Sequence, residues 1–207
     1  MSMMTEALER ISVYCHLSQP DRRREEIERE LSFFPFQLSD EVYEFYQWAG
    51  APVGMMLYDS NGFYSNSTYS CALERWLGNA SDLIHWLSIE EVERYYSSSI
   101  NDSKYLPFVS YEYGCLAIAG SETQVANSPV IRQDEDGDSL WFPSLTNMML
   151  AIAESLETVG TIWPGVTIDY NDEDYGTNKY QKLQQQEMQV DAIARKYGSP
   201  TGAILTS

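Results

Sequence analysis

The sequence predicts an α+β domain: amphipathic helical segments occupy the first and last thirds of the chain, and short β-rich runs separated by Asn, Gly and Ser clusters fill its middle. The β runs follow one another closely, which favours an antiparallel meander of sequential neighbours. Composition is the third observation. Of 207 residues 43% are hydrophobic, including 15 Tyr, 7 Phe and 5 Trp, enough for a core without metal or disulfide staples.

Residues 5–17 place Leu8 and Ile11, with Tyr14 or Cys15, on one helical face, and Ser18, Gln19 and Pro20 stop the run. Asp21 is the expected N-cap of a second helix through Leu31, where Ile27 and Leu31 stand at i, i+4 and RRREEIERE forms a solvated face. A third helix over residues 39–48 starts on Ser39, carries Val42, Phe45 and Tyr46 as its apolar stripe, and ends at Gly50 and Pro52. A Glu follows Ser39 in a capping pattern close to S-x-x-E but shifted by a residue.

VGMMLYD, GFYSNSTY and DLIHWLS read as strands, and residues 89–96 as a short helix capped by Ser88. YLPFVSYEYGCLAIAGS and NSPVIRQ are two further β segments; DEDGDS is an acidic turn and LWF a strand. Asp136-Gly137 is the hairpin signal between them. Residues 143–156 form a helix with a stripe of Leu145, Met148, Met149, Ile152 and Leu156. Beyond Gly160 a turn-rich acidic segment leads to a last helix over residues 179–197, stopped by Gly198 and Pro200. The expected division is a domain over residues 1–160 and an acidic loop with a helical appendage over residues 161–207.

The 31 Asp and Glu outnumber 13 Lys and Arg, for a net charge of −18. That field repels phosphate backbones and anionic lipid, so nucleic acid and membrane are not expected partners, whereas a basic protein is. Cys15, Cys71 and Cys115 are odd in number and widely spaced, which points to neither a disulfide framework nor a zinc site and fits a reducing compartment. The first residues lack the apolar run of a signal peptide, and no stretch approaches the roughly 20 apolar residues of a membrane span, so a cytoplasmic protein is expected.

Catalytic motifs are missing from the sequence. The histidines are His16 and His85, neither set in a motif, and no G-x-S-x-G, G-x-G-x-x-G, P-loop or H-E-x-x-H occurs. The expectation is a chain that is not an enzyme and takes no cofactor. Asp134, Asp136 and Asp138 begin like a calcium loop, but Gly137 comes fourth instead of sixth, so a hairpin turn is the better reading. Two alternatives remain open: a small-molecule or carbohydrate pocket lined by Tyr111, Tyr113 and Trp141, and a hydrolase built on paired carboxylates.

In order, EEIERELSFFPFQLSDEVYEFYQWAGA, HWLSIEEVERY, LPFVSYEYGCLAIAG and SPVIRQDEDGDSLWFPSLTNMMLAIAESL resemble the SUKH superfamily, the Smi/Knr-type domain, over roughly residues 22–156. The strand opened by Leu106-Pro107-Phe108, the strand carrying Pro129-Val130, then Phe142 and a closing helix carry most of the likeness. Phe34-Pro35 and Ala49-Gly50 stand where that family has Leu-Pro and Asn-Gly turns. The resemblance implies a strongly bent, mostly antiparallel sheet flanked by helices, no catalytic residues, and a concave surface for a protein. Many such proteins neutralise toxins as immunity proteins, and others regulate cell-wall synthesis. On this reading the protein-binding residues are Asp134, Glu135, Asp136 and Asp138 of the acidic hairpin with Tyr111, Glu112 and Tyr113, and the partner is a basic toxin.

Overall fold

The computed structural model describes residues 1–14, 22–49, 57–58, 64–65, 85–98, 104–111, 114–159 and 178–200. Ser2 opens α1 (Met3–Ser12), its hydroxyl accepting from the Thr5 amide at 3.1 Å. The helix therefore begins two residues before the apolar periodicity announces it, because the cap lies outside the stripe. Met4, Ala7, Leu8 and Ile11 form its buried face. The helix ends at Ser12, short of the expected residue 17, and the next helix has Arg23 at its N-cap in place of the expected Asp21; residues 15–21 themselves lie outside the described residues.

The second helix, α2 (Arg24–Glu30), runs into a 3₁₀ turn, Leu31–Phe33. Its charge run is a solvated face, as expected: Arg24 pairs with Glu28 and with Asp40, both at 2.7 Å, and Arg23 pairs with Glu26. Such exposed pairs each contribute less than about 1 kcal/mol. The apolar Ile27, fully buried, anchors the helix. α3 (Asp40–Ala49) buries Val42, Phe45 and Tyr46, the stripe its spacing predicts.

β1 (Leu57–Tyr58) and β2 (Tyr64–Ser65) pair only with each other among the described residues. The main sheet has five antiparallel strands in chain order: β3 (His85–Trp86), β4 (Tyr105–Tyr111), β5 (Gly114–Ala119), β6 (Val130–Asp134) and β7 (Gly137–Phe142). This is the expected meander, and the chain is an α+β protein with helices flanking an antiparallel sheet. Between β3 and β4 stands α4 (Ile89–Ser98), opened by a capping box in which the Ser88 amide donates to Glu91 at 2.8 Å and the Glu91 amide to Ser88 Oγ at 3.3 Å.

After β7 comes α5 (Leu145–Val159), which packs against α1, α3 and α6 (Asn178–Lys196). Its start is two residues later than Pro143, because Ser144 is the cap and accepts from the Asn147 amide at 3.0 Å. Met148 and Met149 are wholly buried, so the Met pair is core. Val190, Ile193 and Ala194 of α6 join that core, and Gly198 closes the helix at φ +90°, letting the Ser199 amide reach the Ala194 carbonyl at 3.0 Å. At the centre, the rings of Phe45, Trp86 and Phe108 stand 5.7 to 6.0 Å apart, a geometry that adds about 0.5–1.5 kcal/mol per pair to the area buried. No described helix is long and apolar enough to cross a membrane.

Candidate functional site

Two carboxylate clusters stand out, one buried and one exposed. The buried one is Glu41, in the first turn of α3, 7% exposed. Its carboxylate accepts from the Ser128 amide at 2.7 Å, the Thr146 amide at 2.8 Å, the Thr146 hydroxyl at 2.5 Å, the Leu145 amide at 3.4 Å and the Ser39 hydroxyl at 3.2 Å. Glu41 thus fills the anion-binding end of α5 from within the chain. The Ser39 amide donates to Ser128 Oγ at 3.1 Å and the two hydroxyl oxygens lie 2.9 Å apart, so Ser39 ties α3 to the loop before β6 and the near-match to S-x-x-E serves a long-range clip.

Beside Glu41 lies a cleft of about 400 Å³ lined in part by Ser2, Asp40, Glu44, Asn127, Ser144 and Asn147. It is carboxylate-lined but unlike a hydrolase pair, because the buried carboxylate has every oxygen engaged by fixed donors. Among the described residues no aromatic side chain lines it. Trp141, expected in a Tyr-rich pocket, is 1% exposed and packs on Phe142.

The exposed cluster is the β6–β7 hairpin. Asp134 pairs with Gly137 across the turn, leaving Glu135 and Asp136 as its two residues. Gly137, at φ +115° with nothing within 4 Å of a notional Cβ, supplies the left-handed residue one place later than an Asp-Gly turn centre would put it. Asp134 turns inward: its carboxylate meets Arg132 Nε at 2.7 Å and the Asp136 amide at 3.1 Å. Glu135, Asp136 and Asp138 are exposed. Among the described residues no group of three or more His, Cys, Asp or Glu could hold a metal ion, and the Asp134, Asp136 and Asp138 series is a hairpin turn.

The ladder places the rest. Tyr111 pairs with Gly114, Gly114 with Asp134, and Asp134 with Gly137, so the end of β4, the start of β5 and the acidic turn share one end of the sheet. Glu112 and Tyr113 lie outside the described residues, as does the side chain of Tyr111. One step in, Cys115, Gln133 and Asp138 are successive register partners and share a face: the Cys115 thiol donates to Gln133 Oε1 at 3.5 Å and Gln133 Nε2 to Asp138 Oδ1 at 3.1 Å. Burial, then the charge of Asp138, pushes the Cys115 thiol up to about 11, so it stays protonated and weakly nucleophilic at neutral pH. Tyr95 of α4 stands near that thiol, its own hydroxyl pushed up mainly by burial, yet its side chain remains 37% exposed.

Sequence reasoning missed Leu140. It sits in the apolar word LWF but is 44% exposed, while Trp141 and Phe142 beside it are buried. The signal was phase, since Leu140 alternates with Asp138. Parity also decides the backbone. The Ala119 amide donates to the Pro129 carbonyl at 2.8 Å, so Pro129, Ile131 and Gln133 turn their peptide groups to β5, and Val130, Arg132 and Asp134 turn theirs to β7. Asp138 and Leu140, opposite Gln133 and Ile131, then aim theirs away from β6, on the side where no strand pairs among the described residues.

No family model matches the chain, and no curated protein and no solved structure matches it.

Proposed function

We propose that this chain is a non-catalytic protein-binding domain that engages a basic protein, acting as an immunity protein against a toxin or as a related regulator of the Smi/Knr type. One observation carries the reading: the end of the sheet that holds Glu135, Asp136 and Asp138 presents them to water beside the half-exposed Leu140, in a molecule of net charge −18. Exposed acid next to exposed apolar surface suits a protein partner better than a small ligand, since charge steers the encounter and the apolar contact holds it. Two features of the described residues support the non-catalytic part: a buried carboxylate whose oxygens are all engaged, and a protonated thiol.

The test is co-expression with the product of the adjacent gene in a growth assay. Rescue of growth, with a co-purifying complex whose association slows as salt rises, is the expected result. Absence of rescue together with absence of a complex at low salt would overturn it.

A further inference from the structure

We infer that the outer edge of β7 takes up an extended segment of that basic partner as an added strand, with a lysine or arginine opposite Asp138 and an apolar residue opposite Leu140. The inference rests on the protein-binding reading and specifies its geometry. The peptide groups of Asp138 and Leu140 face outward by the parity of the ladder, and both side chains stand on one face. Among the described residues no strand pairs with that side. Gly137, Asp138, Ser139 and Leu140 are exposed, and burial of Trp141 and Phe142 ends the rail after four residues, about 13 Å of strand.

Open edges are usually shortened, charged or covered, because they template pairing with any passing strand. Here the charge selects the occupant. A second copy would set Glu135, Asp136 and Asp138 against their own kind across two molecules each of charge −18, whereas a basic segment neutralises them. Leu140 supplies the apolar contact that a purely electrostatic encounter would lack. The matching segment alternates cationic and apolar residues at every second position, so that both reach the same face.

The probe is the peptide acetyl-Lys-Thr-Val-Thr-Lys-Thr-Val-amide, titrated into the full chain with amide hydrogen exchange read by NMR. Saturation is expected to slow exchange at Asp138 and Leu140 at least about tenfold. N-methylation of the Lys and Val residues, or Glu in place of Lys, should weaken binding about tenfold or more, and Leu140→Pro should do the same because it removes an outward N–H. Unchanged exchange at Asp138 and Leu140, or equal binding of the Glu peptide, overturns the inference. Protection that grows with protein concentration in the absence of peptide assigns the edge to a second copy and also overturns it. Growth rescue that survives Leu140→Pro takes the edge out of the interface and leaves the protein-binding reading standing; rescue absent from the unmodified chain counts against that reading itself.

Discussion

Glu41 and the hairpin carboxylates have the same chemistry and opposite surroundings. Glu41 is out of water and held by five donors drawn from Ser39, Ser128, Leu145 and Thr146, so its charge is spent on joining α3 to the mouth of α5. Glu135, Asp136 and Asp138 face water, and only Asp138 of the three accepts a side-chain hydrogen bond, from Gln133. A carboxylate surrounded by fixed donors holds a fold together; one surrounded by solvent leaves its charge free to act at a distance. Acidity in this molecule is therefore divided between architecture and surface.

The division can be broken most sharply at Glu41. Glu41→Ala strands the Ser128, Leu145 and Thr146 amides in a buried place and should cost about 3 kcal/mol, read as a lower urea midpoint at unchanged slope. Gly137→Ala tests whether the hairpin is backbone-limited: φ +115° with open space around the Cβ predicts strain without a clash, about 1–2 kcal/mol. Glu154 and Glu157 lie between the two extremes. Hydrogen bonds from Lys196 and then Tyr197 hold the Glu154 carboxyl below its ordinary value of 4.5, and Arg10 does the same for Glu157. Their contribution is complete above pH 4.5 and is lost as pH falls through the lowered values, so Glu154→Gln with Glu157→Gln should flatten the acid limb of a stability-against-pH curve below 4.5. Each pair being partly exposed, the effect should stay under about 1 kcal/mol. Smallest for each residue changed, reversing Glu135, Asp136 and Asp138 to Lys should move stability by no more than about 0.5 kcal/mol per site while slowing association with a basic partner at low salt. A melting drop of many degrees in that variant would place these side chains on the architectural side.

The elements were legible wherever a rule works within a few residues. The stripe Val42, Phe45 and Tyr46, the Ser88 cap, the Gly198 stop and the stripe of α5 all depend on neighbours within one or two helical turns. Glu41 was illegible because its amide donors lie 87 to 105 residues away, and no local spacing encodes them. Leu140 was overlooked for another reason: three apolar residues in a row conceal which of them the pleat turns outward unless the phase is counted from Asp138, and a bulge opposite Val130 and Ile131 breaks the alternation just beyond Leu140. The acidic hairpin was placed correctly because Gly137 is needed there, yet the inward turn of Asp134 toward Arg132 follows from strand alternation that the charge count does not register.

Arg10 of α1 meets Glu157 of α5, 147 residues away, at 2.7 and 2.8 Å, and α6 closes on the neighbouring turn of the same helix face, where Lys196 and Tyr197 donate to Glu154. During synthesis α1 emerges long before α5, the helix it packs on most, although α3 follows it closely. Until α5 has left the ribosome its face of Met4, Leu8 and Ile11 has α3 to pack on but lacks its main partner, and a helix of ten residues is marginal on its own. Docking of α1 on α5 is therefore a late step of assembly, and the interval in which that apolar face is partly bare is the window in which a chaperone would act on it.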